Sequence, residues 1–316
     1  MKRLYSYKDV VLLPDYSSIT SRTLTDCRPN FLDRKFNSVA IPANMKCTIS
    51  MDKARDLALK DYFYILHRFY KYDEIFSFVR DNQDIYLSIS VGIKSHDLDL
   101  VKDCLRKHRV DCITIDVAHG HHIGVKDMIK HIKTLSGGKC KVIAGNIGTK
   151  QAYYDLCSWK ADAAKVGLSM GKSCTTYNCT GVGTPMFSAV HDICGLKDSN
   201  YPIIPVIADG QVREVGDICK ALVAGATMVM VGSEFAKCSD SPAETIDNYK
   251  VFYGSASSYN KHSDSFIEGQ KVLLEQRTEN YQGFFKRINE GVQSCMSYAG
   301  VSNLSDLKHM QFGYTS

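Results

Sequence analysis

Val206-Ile-Ala-Asp-Gly-Gln-Val-Arg-Glu-Val-Gly-Asp-Ile-Cys-Lys-Ala-Leu-Val-Ala-Gly-Ala-Thr-Met-Val-Met-Val-Gly-Ser233 spells out a strand, a turn, a helix and a second strand. The first apolar run stops at Asp209-Gly210. A helical pattern then occupies 215–224, and a second apolar run, 228–232, closes on Gly232-Ser233. Both runs are continuously apolar rather than alternating, which is what strands buried on both faces require.

The same unit recurs along the chain. Apolar, β-branched or aromatic runs fall at 39–45, 62–69, 86–92, 112–117, 141–148, 163–167, 204–209 and 228–232. Helical spacing lies between them: Leu98, Val101 and Leu105 recur at intervals of three and four, and 125–135 behaves alike. Eight strand–helix units without a large gap predict an α/β fold, a (β/α)8 TIM barrel, as one domain over 1–316 rather than two doubly wound domains.

Polar residues end these runs in series: Asn44, His67 with Arg68, Asp116 with His119, Asn146, Ser169 and Asp209. Any one alone reads as a cap or turn residue. Together they mark the carboxyl ends of successive strands, the rim where barrel enzymes build active sites. Gly210, Gly232 and Ser233 follow the seventh and eighth runs, where barrels hold a phosphate on backbone N–H groups. Asp209 would repel a phosphate and suits the two hydroxyls of a ribose instead.

The sixth run leads into Gly167-Leu-Ser-Met-Gly-Lys-Ser-Cys-Thr-Thr176. A cysteine is ordinarily a small buried hydrophobe. Cys174 sits instead among Ser173, Thr175 and Thr176 in a loop, about 167–184, with no apolar period to bury it. That is where a barrel would carry a nucleophile.

Composition excludes several classes. Lys and Arg number 39 against 34 Asp and Glu, a formal charge of +5 spread without a basic run. This suits a small anionic ligand and not nucleic acid. No apolar stretch approaches the roughly 18 to 20 residues of a membrane span, and the first residues lack a signal-peptide core. Twelve scattered cysteines without a Cys-x-x-Cys pair read as reduced thiols of a cytoplasmic protein. His119, His121 and His122 lack ligands at zinc spacing. Two segments break the rhythm: 176–201, a long glycine-bearing connection, and 237–271, rich in Ser, Tyr, Asn and Gly and expected to be a flap after strand eight. Poor in large aliphatics, the second is expected to lack an apolar hold of its own.

Nearly end to end, the chain resembles GMP reductases of the IMP dehydrogenase/GMP reductase superfamily, most closely their bacterial branch. The residues that carry the resemblance are Pro42-Ala-Asn-Met45, His67-Arg-Phe69, Thr114-Ile-Asp-Val-Ala-His-Gly120, Ala144-Gly-Asn-Ile-Gly-Thr149, the Cys174 loop, Ala208-Asp-Gly210 and Tyr253-Gly-Ser-Ala-Ser257. The resemblance implies NADPH-dependent deamination of GMP to IMP and ammonia through a covalent cysteine intermediate. It makes Cys174 the nucleophile and Thr176 with Glu268 the proton-delivering pair. It puts Asp209, Gly210, Gln211, Gly232 and Ser233 at the ribose phosphate, and Gly254, Ser255, Ala256 and Gly269 near the base. Ser21, Arg22, Arg68, Asp116, Val117, Ala118, Leu168 and Ser169 fall on the cofactor side. The carbonyls of Ser169 and Gly171 match donors to a monovalent cation, K+. The expected partner is a further copy of the chain, in a homotetramer.

The loop departs from the family's Gly-x-Gly-Pro-Gly at Ser169 and Met170, and Gln211 replaces the second glycine of Asp-Gly-Gly. A Cβ at 169 costs roughly 1 kcal/mol if φ is positive there. Gln211 is expected to crowd the phosphate. Two other readings stand beside the first: an IMP dehydrogenase without its regulatory insert, and a nucleotide-binding barrel with weakened catalysis. Only a short helical connection, 71–83, stands where dehydrogenases carry that insert, and no Arg-Tyr pair occurs in 237–271.

Overall fold

The computed structural model describes residues 3–169, 171–196, 202–261 and 267–315. Seven of the eight apolar runs form one curled parallel sheet: Ala40–Pro42, Ser88–Val91, Cys112–Asp116, Lys141–Ile147, Ala163–Val166, Val206–Asp209 and Met228–Val231. From Ser88–Val91 onward, neighbours in sequence are neighbours in the sheet, and Ala40–Pro42 pairs beside Met228–Val231.

The second run departs from its expected strand. It makes one parallel bridge, Leu66 to Ile89, in which the Leu66 N–H donates to the Ser88 carbonyl and the Ser90 N–H to the Leu66 carbonyl, both at 3.0 Å. Past Leu66 the chain turns, because Nδ1 of His67 accepts the Phe69 N–H at 3.1 Å.

Burial on both faces explains the continuous apolar runs. One parity packs inward: Ile41, Phe63, Ile65, Cys112, Ile143, Ala163, Ile207 and Met228 form a cluster with Phe31 of the hairpin Asn30–Phe31/Arg34–Lys35 and with Phe36 just after it. The other parity, including Ile113, Val142, Val166, Val206 and Val229, packs under the helices. Those helices follow the strands in turn: Ser95–Lys107, Ile123–Leu135, Lys150–Ser158, Met186–Cys194 and Val215–Val223. Local chemistry starts them, as where Thr149 Oγ1 accepts the Ala152 N–H at 3.2 Å. The helix Tyr281–Tyr298 packs on Val215–Val223.

Both segments that seemed to break the rhythm hold structure. The connection 176–201 carries the helix Met186–Cys194, whose Met186, Phe187, Val190 and Ile193 are buried, so it supplies a helix of the repeat; residues 197–201 lie outside the described residues. In 237–271 the expected lack of an apolar hold is corrected. Thr245–Ile246, Tyr249–Tyr253 and Lys271–Glu275 form a three-stranded antiparallel sheet, and Phe252 and Leu274 are buried against Cys47, Ala236 and Ala243. Few aliphatics suffice because the hairpin pairs its own backbone. Lys250, also buried, donates from Nζ to the carbonyls of Ser239, Ser241 and Ala243 at 3.3, 3.4 and 3.5 Å.

Candidate active site

The carboxyl ends of the parallel strands carry the polar series. Gly167 follows Ala163–Val166 with φ +148°, and a Cβ there would lie 1.9 Å from the Asp209 carbonyl oxygen. Only glycine lets these two strand ends approach so closely. Ser169 has φ +63°, so the side chain expected to cost energy there does sit in the left-handed region; Met170 lies outside the described residues. Gln211 is also left-handed, at φ +59°, and its Oε1 accepts the Met186 N–H at 3.3 Å, which turns that oxygen towards the helix Met186–Cys194.

Cys174 is half-buried, and its Sγ is 3.3 Å from Thr176 Oγ1. Thr176 Oγ1 in turn donates to Glu268 Oε2 at 2.7 Å. Backbone bonds fix this line. The Thr175 N–H donates to the Glu268 carbonyl at 2.9 Å, the Gln270 N–H to the Ser173 carbonyl at 2.9 Å, and Cys174 bridges to Gly269. The loop and the distal segment therefore meet as a short ladder. Gly254 and Gly269 make room for it: a Cβ on either would come within 3.3 Å of the other's Cα. Ala256 accepts the Glu268 N–H at 3.1 Å, and the Ser255 carbonyl accepts Asn260 Nδ2 at 2.9 Å.

Several of the other cysteines are buried. All twelve are free, and burial pushes the thiols of Cys47, Cys104 and Cys140 up to about 12, where thiolate is scarce at neutral pH.

A buried cation joins two carboxylates beside the loop. Lys165, 3% exposed, donates from Nζ to Asp116 Oδ1 at 2.8 Å and to Asp209 Oδ2 at 2.9 Å. Asn146 Nδ2 also donates to Asp209 Oδ2, at 2.9 Å. Burial by itself would raise the Asp116 pKa; the Lys165 charge and hydrogen bond, with the Arg68 charge, outweigh it and hold the carboxyl below its usual range. Burial likewise opposes the charge on Lys165, and the two carboxylates outweigh it and raise its pKa. Arg68 Nε, buried and without a hydrogen-bond partner, lies 3.9 Å from Asp116 Oδ2.

Sequence reasoning missed Lys165, folding it into an apolar run. A signal existed: a charge two residues after Ala163 has the inward parity of that strand, as Asp116 has on its strand from Cys112 and Asp209 from Ile207.

Other expected residues fall nearby. The Val117 N–H donates to the Gly145 carbonyl at 3.1 Å, Ala118 is exposed beside it, and the Leu168 carbonyl accepts the Thr184 N–H at 3.3 Å. Gly232 precedes the short helix Ser233–Ala236, and Ser233 Oγ donates to Glu234 Oε1 at 3.3 Å. Ser21 and Arg22 are not brought to this rim. They lie at an exposed 3-10 turn, Arg22–Leu24, packed on Tyr281–Tyr298. Its neighbours Thr23 to Arg28 share a cleft with Asn37 and Tyr62, which stand at the amino ends of their runs. The Gly171 carbonyl is engaged by the Cys174 N–H at 3.1 Å. Among the described residues, no three His, Cys, Asp or Glu side chains gather as a metal site, and no helix is long and apolar enough to cross a membrane.

A model of the IMP dehydrogenase / GMP reductase domain matches residues 4–315. The chain belongs to the IMP dehydrogenase/GMP reductase family. Its relatives within that family include a GMP reductase of Mesoplasma florum, 39% identical over 98% of this chain and 97% of that protein. A GMP reductase of Leptothrix cholodnii is 40% identical over 98% and 95%, and one of Staphylococcus aureus 37% identical over 98% and 96%.

Proposed function

We propose that this protein is a GMP reductase that converts GMP to IMP and ammonia with NADPH. The observation that carries this reading is the line from Cys174 Sγ through Thr176 Oγ1 to Glu268 Oε2, at 3.3 and 2.7 Å. GMP, NADPH and two protons give IMP, NADP+ and ammonium. The Cys174 proton passes through Thr176 to the Glu268 carboxylate, and the thiolate adds to C2 of the guanine base. Glu268, now protonated, returns the proton through Thr176 to the departing amino group. Cys174 then holds the purine as a thioimidate. NADPH, when bound, supplies the hydride that takes the amino group's place at C2. Collapse of that adduct releases the thiolate with IMP.

The nucleotide's ribose hydroxyls donate to Asp209, whose bonds from Lys165 and Asn146 both use Oδ2 rather than Oδ1. Its phosphate takes backbone N–H groups at Gly210, Gln211, Gly232 and Ser233, and the base lies by Gly254, Ser255, Ala256 and Gly269. The cofactor side fits the dinucleotide: Arg68 Nε is an orphaned buried donor beside Asp116, with Val117, Ala118, Leu168 and Ser169 along the same rim. Ser21 and Arg22, at the far end, would reach a dinucleotide on a neighbouring copy, and we infer a homotetramer. The donor set for K+ fits less well. The Gly171 carbonyl already accepts the Cys174 N–H, and no step here uses a cation.

We also infer that the sheet closes as an eight-stranded barrel, one domain with 237–271 as its flap. Phe63 and Ile65 join the inward cluster from between Ala40–Pro42 and Ser88–Val91, and Leu66 already bridges to Ile89. Free thiols throughout suit a reducing cytoplasm.

The test is absorbance at the nicotinamide band. GMP with NADPH should lose absorbance and release ammonia. IMP with NAD gaining absorbance instead would make the chain a dehydrogenase. GMP binding without turnover would favour the weakened barrel, a reading that the left-handed Ser169 and Gln211 motivate and the intact line at Cys174 opposes.

A further inference from the structure

We propose that Lys165 is a positioning residue that couples the nucleotide and dinucleotide subsites, so that each ligand tightens the other through one buried ammonium. This rests on the reading above of Asp209 as ribose-side and Asp116 as cofactor-side. The strand Ala163–Val166 lies between Lys141–Ile147 and Val206–Asp209 in the sheet. From that central position Lys165 reaches Asp116 on one side at 2.8 Å and Asp209 on the other at 2.9 Å. At 3% exposure water cannot take over either bond. Two carboxylates turned to the same few ångströms of a buried rim would repel, and one would protonate or swing away. The ammonium makes both charges and both orientations depend on one group.

That dependence has a consequence for binding. A ligand that fixes Asp209 also fixes Lys165, and with it Asp116. The second ligand then finds its carboxylate already ordered, which is a coupling and must be reciprocal. Asn146 holds only the Asp209 side, and Arg68 faces only the Asp116 side at 3.9 Å. Lys165 is the one described side chain bonded to both.

The experiment is calorimetry with GMP and with NADP+, each alone and each in the presence of the other, on intact enzyme. Lys165→Met should weaken both ligands about ten-fold or more, the loss of a charge-assisted bond, and abolish their mutual enhancement. Lys165→Arg should restore most of both. Should Lys165→Met fail to fold, two milder variants carry the test, since each leaves the ammonium paired. Asp116→Asn should weaken GMP, and Asp209→Asn should weaken NADP+, although neither touches that ligand. Unchanged cross-affinities would overturn the coupling. Asp209→Asn with undiminished GMP binding would instead overturn the ribose reading on which it rests.

Discussion

Thr176 and Glu268, 92 residues apart in the chain, meet at 2.7 Å, with the hydroxyl donating to Oε2. The contact is backed by the Thr175 N–H on the Glu268 carbonyl at 2.9 Å, so backbone as well as side chain sets the distance. A carboxylate placed this way is one hydroxyl from a thiol. Glu268→Gln keeps the shape and the acceptor oxygen but carries no transferable proton. Turnover should fall by roughly a hundredfold or more, with GMP affinity preserved. Rapid-quench measurement of ammonia release, set beside equilibrium GMP binding, checks this. A large loss of affinity at unchanged turnover would assign Glu268 to base recognition.

Cys174→Ala should abolish reduction while leaving GMP binding nearly intact. A nucleophile acts through a covalent step absent from ground-state binding. An alanine variant retaining more than about a hundredth of wild-type turnover, a loss under ~3 kcal/mol, would not have lost its nucleophile.

Backbone geometry at the start of the loop separates Gly167 from Ser169. Gly167→Ala would force a Cβ to within 1.9 Å of the Asp209 carbonyl oxygen. Strain and overpacking together should cost about 3 kcal/mol or more, and GMP affinity should fall because Asp209 is pushed aside. Ser169→Gly acts in the opposite sense. It relieves roughly 1 kcal/mol of left-handed strain and gives back about 0.4 to 1 kcal/mol to unfolded-chain entropy. Its stability should barely move. Thermal melts of both variants decide the matter, and a Gly167→Ala protein as stable as wild type would refute the close approach.

The sequence was most legible where burial is two-sided. Runs at 112–117 and 141–148 became Cys112–Asp116 and Lys141–Ile147 almost to the residue, because a strand buried on both faces is apolar throughout and these runs are of strand length. The run 62–69 became only a bridge at Leu66, since the His67–Phe69 turn depends on a side-chain bond that periodicity does not encode. Cys174 was legible by its polar company. Lys165 was readable only as an inward charge by its parity with Ala163; its partners were not, since Asp116 and Asp209 are brought to it by strands distant in sequence. The hairpin in 237–271 was hidden for a related reason: its hold is backbone pairing and a lysine caged by carbonyls, neither of which enters a count of aliphatics.

His67 gives the fold an acid-sensitive element. It is 3% exposed, and burial, helped by the Lys46 charge, pushes its pKa down from 6.5 to about 4. The unfolded chain therefore binds a proton that the folded one refuses between those values. Stability from this residue is complete above pH 6.5 and is lost as pH falls through about 4. The full effect is on the order of 3 kcal/mol. His67→Gln retains an acceptor for the Phe69 N–H but has nothing to protonate. Urea midpoints at pH 7, 6 and 5 should decline more steeply for wild type than for the variant. Parallel declines would show that His67 does not carry the dependence.

The segment 237–275 should divide into two parts in hydrogen exchange. Its base is a paired hairpin, Tyr249–Tyr253 with Lys271–Glu275, and Phe252 is 3% exposed against Cys47 and Ala236. Burial of that ring is worth about 1.5 to 3 kcal/mol, enough to hold the base closed without ligand. The end nearer Cys174 is different. Residues 267–270 meet the Cys174 loop through a few backbone bonds and the Glu268–Thr176 contact, and none of them belongs to an apolar cluster. Ordering each such residue costs about 1 to 2 kcal/mol, so local opening there should be frequent. GMP bound between that loop and 267–270, as proposed, would add contacts to both and exclude water from the proposed covalent adduct. Amides of 249–253 and 271–275 should thus be protected with or without GMP, whereas those of 254–257 and 267–270 should gain protection only when GMP is present. Phe252→Ala should merge the two classes by loosening the base. Strong, ligand-independent protection at 267–270 would mean that this end is a fixed wall of the site rather than a closing one, and Glu268 would then stand at Thr176 before the substrate arrives.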